Sequence, residues 1–270
     1  MSSRIESELQ DIINNDSTFS EEPKSRIEKI LQAVINNDST FSEEPKSRIE
    51  ELLMKLIGGT GGGATEPYIE ETYNSSGELL EATLHGYTKV RDYNFYMCKN
   101  LVSIILPNGI TSIGSYAFYS CLNLVSTSLP DSITSIKDRA FYNCKKLALT
   151  SLPDSITSIG SYGFCNCSNI ALTSLPSSLL EIGTSSFSSC SNLTLTSLPS
   201  KLLIIGSEAF NECVGLTSIT FKRIPNSIAS DAFKGCDSLT TINVPWSEGV
   251  VANAPWGATN ATINYDYTGV

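Results

Sequence analysis

The sequence of 270 residues is 41% hydrophobic and 17% charged, a composition that favours short strands and turns over a helical bundle. Its formal net charge of −10 argues against nucleic acid as a partner, because binding to phosphates requires a basic surface. No segment approaches the ~20 apolar residues of a membrane-spanning helix, and the first residues lack the basic and apolar regions of a secretion signal, so neither feature is predicted.

The first 57 residues contain a duplicated unit that begins with the residues SRIE. It occurs at residues 3–24 and 25–46, and a third start follows at Ser47. Each unit predicts a helix that begins at Ser20 or Ser42 and has two glutamates in its first turn, where the helix dipole favours negative charge. Residues 1–57 are therefore predicted to form an α-helical segment.

The predicted helices carry a single apolar stripe, which includes Ile27, Ile30 and Leu31. Helices of this length are marginally stable alone, so the stripe must pack on the other helices, on copies from other chains or on a partner. We favour copies from other chains, which predicts a homo-oligomer through residues 1–57. The glycine-rich residues 58–65 predict a flexible linker.

This N-terminal arrangement resembles one found in phage proteins. A duplicated acidic helix followed by a glycine linker is similar to the anchoring segments of phage tail or accessory proteins. The resemblance implies a virion-associated protein whose helices dock into a larger assembly.

Residues 66–89 are predicted to form an N-terminal β cap. The segment YIEETYNSSGELLEATLHG indicates two strands that flank the turn Asn74-Ser75-Ser76-Gly77. The only histidine of the chain, His85, lies in this cap. A surface histidine without a role is favoured there over a catalytic base.

A repeat of 23 residues occupies residues 90–246, and its columns predict a shared interior. Seven cysteines recur at this period, and a phenylalanine lies three residues before each of them. The cysteines are Cys98, Cys121, Cys144, Cys167, Cys190, Cys213 and Cys236. The phenylalanines are Phe95, Phe118, Phe141, Phe164, Phe187, Phe210 and Phe233. Because one unit cannot bury its own apolar face, the units are predicted to stack, with these columns as a structural ladder in one core.

Two segments of each unit predict local structure. In IGSYAFYSC, the residues Ile113, Ala117 and Cys121 are spaced by four, which predicts one side of a short helical turn. The segment LVSIILP, which begins at Leu101, has the alternation typical of a strand, and its proline ends the strand because it has no N–H to donate. Stacked strands at ~4.8 Å spacing then predict a sheet on the order of 30–35 Å long.

The segment from Leu101 to Cys121, LVSIILPNGITSIGSYAFYSC, resembles the BspA-like leucine-rich-repeat family, whose units follow L-x-x-I-x-(I/L)-P-x-x-(V/I)-T-x-I-G-x-x-A-F-x-x-C. The resemblance covers about residues 85–246. It implies a leucine-rich-repeat solenoid of the α/β, β-rich class with seven 23-residue repeats. The family is known for surface proteins that bind extracellular matrix or other cells and for proteins of unknown role, so the resemblance implies the fold and not the ligand. Units two to five depart from the template, because a threonine replaces the central strand isoleucine and leaves the local register open. These threonines are Thr127, Thr150, Thr173 and Thr196.

Residues 247–270 break the period and are predicted to form a C-terminal cap. Both tryptophans, Trp246 and Trp256, accompany this change. Their large rings either cover the open edge of the core or form an aromatic platform for a sugar. We favour the first interpretation.

The sequence offers no arrangement for catalysis, for a metal or for a cofactor, so we predict that the protein is not an enzyme. Zinc sites need clustered cysteine and histidine ligands, and a Ser–His–Asp arrangement would have to use His85. An odd ladder of seven cysteines cannot pair completely into disulfides, and buried cysteine acts as a small hydrophobe, so reduced structural thiols are favoured. Cys165 lies off the ladder and is predicted to be the most accessible thiol.

A column of serines lies between the inward positions of the predicted strands. Its members are Ser128, Ser151, Ser174 and Ser197. If the alternation of the strands holds, this serine column lines the exposed face of the sheet and is the candidate binding face. A row of hydroxyls suits hydrogen bonding to a protein strand or a polysaccharide, and a row that only keeps the sheet soluble explains it equally well.

Together these features predict a non-catalytic binding or adhesion module that presents a leucine-rich-repeat surface to a protein or glycan partner. The family resemblance implies a location at the cell surface. The alternative is a structural or host-recognition accessory protein of a phage tail or another large assembly.

Overall fold

The 23-residue period returns the chain to the same position in every turn of the solenoid. The register of the strands shows this directly, because Ile113 pairs with Ile136, and Ile136 pairs with Ile159. The computed structural model describes residues 67–269, which belong to the compact unit Pro67–Val270 and make about eight turns. The predicted helical segment 1–57 and the linker 58–65 lie outside the described residues.

Each 23-residue turn, called a rung below, contributes up to two short strands. The first strand follows the cysteine column, and the second strand lies about ten residues later in the chain. The strands are β1 Tyr68–Tyr73, β2 Leu79–His85, β3 Ser103–Ile105, β4 Ser112–Ile113, β5 Ser126–Ser128, β6 Ser135–Ile136, β7 Ser158–Ile159, β8 Glu181–Ile182, β9 Ser197–Leu198, β10 Ile204–Ile205, β11 Ser218–Phe221, β12 Ser227–Ile228, β13 Thr241–Asn243 and β14 Thr262–Asn264.

The two sets of strands form sheets of different continuity. The second strands make one uninterrupted parallel sheet of six, in the order β12-β10-β8-β7-β6-β4. The first strands make two separate sheets of four, β1-β2-β3-β5 and β14-β13-β11-β9. The first-strand face is therefore open between β5 and β9, where two rungs contribute no strand.

The segment between the second strand and the cysteine is a series of turns, and the expected helical turn is absent from residues 67–269. Amides alternate in direction along it. The amides of Tyr93, Phe95 and Met97 donate to carbonyls of the next rung, whereas those of Tyr96 and Cys98 donate three residues back within their own rung. A helix would direct every amide along its own axis, so the hydrogen bonds between rungs exclude it.

The phenylalanine column forms a stack of parallel rings through the middle of the solenoid. Successive ring centroids lie 5.0 Å apart at the closest pair, Phe118–Phe141, and 5.7 Å apart at the widest, Phe187–Phe210. All seven phenylalanines are at most 1% exposed. The aromatic column is therefore continuous from Phe95 to Phe233, where dense contact between neighbouring rungs replaces the core of a globular domain.

The cysteine column lies beside this stack and completes its hydrogen bonding. The thiol of each buried ladder cysteine donates to the carbonyl oxygen of a phenylalanine in the preceding rung, as Cys144 does to Phe118 at 3.0 Å and Cys167 does to Phe141 at 2.9 Å. Cysteine is small enough for the space between rungs and carries a weak donor, which explains its use at this position. Cys98, in the first rung, is half-buried.

Both ends of the array are closed by chain that follows the same lattice. At the start, β1 and β2 form an antiparallel hairpin, and β2 pairs in parallel with β3. At the end, the amide of Phe233 donates to the carbonyl of Trp256, the Trp256 ring packs against Phe221 at 5.3 Å between centroids, and β14 pairs with β13. Trp256 is fully buried and Trp246 is 4% exposed, so both rings cover the core edge and a sugar platform is excluded.

Candidate binding surface

The serine column lies on the first-strand side of the solenoid. Its members are exposed except for Ser197, which is half-buried. The same column continues as Ile105, which is 60% exposed, at the start and as the half-buried Thr220 and Asn243 at the end. A row of small hydroxyl side chains therefore lies between more bulky neighbours.

Units three to five, which carry a threonine in place of the central strand isoleucine, bury different positions from the units that keep the isoleucine. In regular unit six the inward residues are Leu216, Ile219 and Phe221, a step of three followed by a step of two. In unit four they are Ile170, Leu172 and Leu175, so the step of two comes first. Only one pair of neighbouring positions is exchanged, because Leu175 and Phe221 occupy the same place in the repeat and are both inward.

Unit two also carries the threonine but keeps the register of the units with isoleucine. Thr127 keeps the register of the isoleucine, because it pairs with Ile104 of the neighbouring strand and is 7% exposed. Its Oγ1 is buried and is without a hydrogen-bond partner among residues 67–269. The threonines of units three to five are exposed instead, because the preceding leucine of each unit has taken the inward position. These leucines are Leu149, Leu172 and Leu195.

The shift in units three and four removes their first strands and leaves backbone donors available. Within the described residues, the amides of Thr150, Ser151, Thr173 and Ser174 make no hydrogen bond to another backbone group. The flanking rungs bond normally, because Ser197 pairs with Thr220 in the next sheet. An exposed strand position with unpaired amides can pair with an added chain or with ligand oxygens.

An open depression coincides with this gap. It has a volume of about 730 Å³ and is lined by residues between Thr127 and Leu175. Three members of the serine column, Ser128, Ser151 and Ser174, lie along it, together with the carboxylates of Asp131 and Asp154. The depression therefore offers hydroxyls, carboxylates and backbone amides, a set suited to hydrogen-bond recognition.

The thiols of the interior are unsuited to nucleophilic chemistry. Burial raises the pKa of Cys167, Cys190 and Cys213 well above the ordinary thiol value, and it raises that of Cys236 to about 12. Nucleophilic cysteines require the opposite shift. The phenylalanine and cysteine columns therefore act as structure.

Cys165 corrects the expectation that it is the most accessible thiol. It is 6% exposed, whereas Cys98 is half-buried. Burial, with a smaller contribution from Cys167, raises its pKa to about 11. The expectation was wrong because a position off the cysteine column does not by itself determine the exposure of the side chain.

The single histidine is part of the cap. The ring of His85 stacks on Tyr68 with centroids 4.4 Å apart, and its Nε2 lies 3.4 Å from a carboxylate oxygen of Glu70. No cluster of three or more His, Cys, Asp or Glu side chains suited to a metal occurs within residues 67–269. In the same residues no helix has the length and hydrophobicity to cross a membrane.

Three solved structures of leucine-rich-repeat or pneumococcal proteins show a limited similarity to this chain. The leucine-rich-repeat protein of T. pallidum is 24% identical, with 68% of this chain and 85% of that chain covered, at a TM-score of 0.41. A leucine-rich cell surface protein of Faecalibacterium prausnitzii is 25% identical over 67% of this chain and 64% of that chain, at 0.33. The pneumococcal vaccine antigen PcpA is 22% identical over 72% of this chain and 43% of that chain, at 0.42. No curated protein matches the sequence.

A family model matches directly. The model of the BspA type leucine-rich-repeat region matches in six copies, over residues 88–213 and 181–253. These residues include the phenylalanine and cysteine columns and the strands from β3 to β13. The chain therefore belongs to the BspA type leucine-rich-repeat family.

Proposed function

We propose that the protein is a non-catalytic binding module that holds a protein or glycan partner on the open first-strand face of its solenoid. The observation that carries the proposal is the coincidence of the serine column with the gap between β5 and β9. The second-strand sheet has no gap, so the opening is specific to one face. Binding sites on rigid scaffolds commonly occupy such irregular places.

The chemistry of the depression supports a hydroxyl-rich or main-chain partner. The exposed serines can donate and accept, the backbone amides near Thr150 and Thr173 can donate, and Asp131 and Asp154 can accept. Sugars and extended peptides both present alternating donors and acceptors. A non-polar ligand would leave these polar groups unpaired and is disfavoured.

The test is a binding screen of the full-length protein against glycans and matrix proteins. The double variant Ser151→Lys/Ser174→Lys places two long charged side chains in the depression and should lower affinity by about tenfold or more. The matched control is Asn192→Lys/Ser238→Lys, which adds the same charge at exposed positions outside the depression. Loss of binding in the first variant and retention in the control support the proposal. Undiminished binding by the first variant rules out this face.

Cell-surface display is the location that the family membership favours, and it is part of the proposal. The alternative role, a structural or host-recognition accessory protein of a phage tail, depends on self-association or docking through residues 1–57. Light scattering on the full-length protein addresses it. A multimer that dissociates when Ile27 and Leu31 are changed to Ser favours the assembly role, whereas a monomer favours the binding module alone.

A further inference from the structure

Two columns of aromatic side chains line the turn segments of the first four rungs, away from the first-strand face. They contain six tyrosines, called the tyrosine surface below: Tyr93, Tyr96, Tyr116, Tyr119, Tyr142 and Tyr162. Neighbouring rings stack along the solenoid, with centroids 4.9 Å apart for Tyr93–Tyr116 and 4.8 Å apart for Tyr119–Tyr142. Tyr93 is 52% exposed and the other five rings are half-buried.

Arg139 belongs to the same surface. Its guanidinium lies 4.5 Å from the ring centroid of Tyr162 and 5.4 Å from that of Tyr116, so it takes the place of a ring in one column. Within residues 67–269 it makes no salt bridge with a carboxylate. Its positive charge is thus held in a fixed position with hydrogen-bond donors to spare.

The fold does not require these aromatic residues. In later rungs the same columns carry Ser185 and Glu208 in place of Tyr116, and Ser188 in place of Tyr119. The backbone is unchanged, because Ser185 and Glu208 have the same positive φ as Tyr116, with values of 51°, 53° and 57°. The backbone therefore does not need tyrosine at these positions, and the role of the rings lies at the surface of the protein.

The tyrosine surface has the composition and order of a protein contact. Tyrosine and arginine are the residues most enriched at the energetic centres of interfaces. Stacking already restricts these side chains, so little rotamer freedom remains to be lost on binding. The six phenol hydroxyls make no hydrogen bond within the described residues, and a tyrosine hydroxyl is protonated at neutral pH and can donate.

The charge of the rungs that carry the tyrosine surface indicates the kind of partner that it would bind. Residues 87–146 contain seven Lys and Arg against three Asp and Glu, whereas the adjoining cap residues 67–86 contain none against four and residues 147–269 contain four against eight. Two of the three acids are occupied, because Asp92 and Asp138 each accept the amide of the next rung, from Ser115 and Ser161, at 2.8 Å. The tyrosine surface thus lies on a locally positive part of an acidic protein, which attracts negative partners and repels positive ones.

We infer that the tyrosine surface and Arg139 form a second docking site, which binds an acidic polypeptide segment of another protein. Carboxylates of the segment accept from the tyrosine hydroxyls and pair with the Arg139 guanidinium, while the ring edges pack against its backbone. This site is separate from the serine column and does not depend on binding there.

Fluorescence anisotropy with labelled poly-L-glutamate and the full-length protein tests the inference. We expect saturable binding that weakens as salt rises. Arg139→Gln should lower the affinity about tenfold, and Tyr119→Ser, which installs the residue of a later rung, should lower it about fivefold. The matched control Lys201→Gln removes one positive charge outside the surface and should change the affinity less than about twofold.

Each outcome decides for or against the site. Equal losses in Arg139→Gln and Lys201→Gln show a general charge effect and overturn the inference, as does the absence of binding. Binding of heparin without binding of poly-L-glutamate identifies an anionic polysaccharide and also overturns it. Retained binding of poly-L-glutamate by Ser151→Lys/Ser174→Lys supports a site distinct from the serine column, and unchanged thermal midpoints of the tyrosine variants show that the fold is intact.

Discussion

Units four and six belong to the same stack of repeats, but only unit six forms a first strand. In unit six, Ile219 is inward and the neighbouring strands pair on both sides. In unit four, Leu172 is inward one position earlier, Thr173 is exposed and no strand forms. The buried columns therefore hold the solenoid together, whereas strand pairing on the first-strand face can be lost locally.

The gap leaves polar groups available for recognition, which a continuous sheet does not. A complete sheet satisfies its own backbone groups, and the interrupted face leaves amides and hydroxyls available for a partner. The phenylalanine stack beneath both regions is the same, with Phe164–Phe187 and Phe210–Phe233 centroids 5.6 Å and 5.2 Å apart. A constant interior thus supports a variable surface.

The largest effect is expected from the shared interior. Phe164→Ala removes a ring that stacks on both neighbours and is fully buried, and should lower the free energy of unfolding by about 3–5 kcal/mol. Urea denaturation followed by circular dichroism measures it. Phe210→Ala should give a similar loss, and a much smaller effect at either position would show that the two regions do not share one core.

The shifted register predicts that alanine substitutions destabilise the protein at different positions of the repeat in units four and six. Leu172→Ala should cost about 2–5 kcal/mol and Thr173→Ala less than about 0.5 kcal/mol, because only the first is buried. In unit six the order reverses, with Ile219→Ala costly and Ser218→Ala mild. The same denaturation series measures all four variants, and a sensitive Thr173 would contradict the shift.

A pH dependence is expected from Cys165, which is absent from the regular rungs. Burial raises its folded pKa from the ordinary thiol value of 9.0 to about 11, so its contribution to stability is complete below pH 9 and is lost as the pH rises towards 11. Between pH 9 and pH 10, unfolding free energy should fall by about 1 kcal/mol more in the native sequence than in Cys165→Ala. Parallel pH curves for the two proteins would show that this thiol ionises as easily in the folded state as in the unfolded state.

Thr127→Val is expected to change stability only modestly, and in the stabilising direction. Thr127→Val replaces a buried hydroxyl that lacks a hydrogen-bond partner among the described residues, and should stabilise the protein by about 1 kcal/mol. Thr150→Val changes an exposed side chain and serves as the control, with less than about 0.5 kcal/mol expected. Destabilisation by Thr127→Val would indicate that the hydroxyl is bonded.

The interior was predictable because a fixed period exposes its columns. Phenylalanine and cysteine at constant spacing predict stacked rungs, and the resemblance of Leu101–Cys121 to the family template predicts the solenoid, which is confirmed. The serine column was expected on an outward face from the alternation of strands, and Ser128, Ser151 and Ser174 are exposed even though units three and four form no strand there. Its role in binding stays a prediction.

Other features depend on contacts between rungs that spacing does not reveal. The segment Ile113–Cys121 has a helical spacing of apolar residues, yet alternate amides in it donate to the next rung, so turns replace a helix. The gap at units three and four arises because Leu149 and Leu172 compete with a threonine for the inward position, and only the structure shows which side chain enters. Cys165 was misplaced for the same reason.

The reactivity of the thiols tests the central claim, a dry interior shared by all rungs, most directly. All eight cysteines of the chain lie within residues 98–236, and seven of them are buried. Titration of the native protein with a thiol reagent should modify about one group, Cys98, and denaturant should release the other seven. Rapid modification of most thiols without denaturant would contradict the stacked interior.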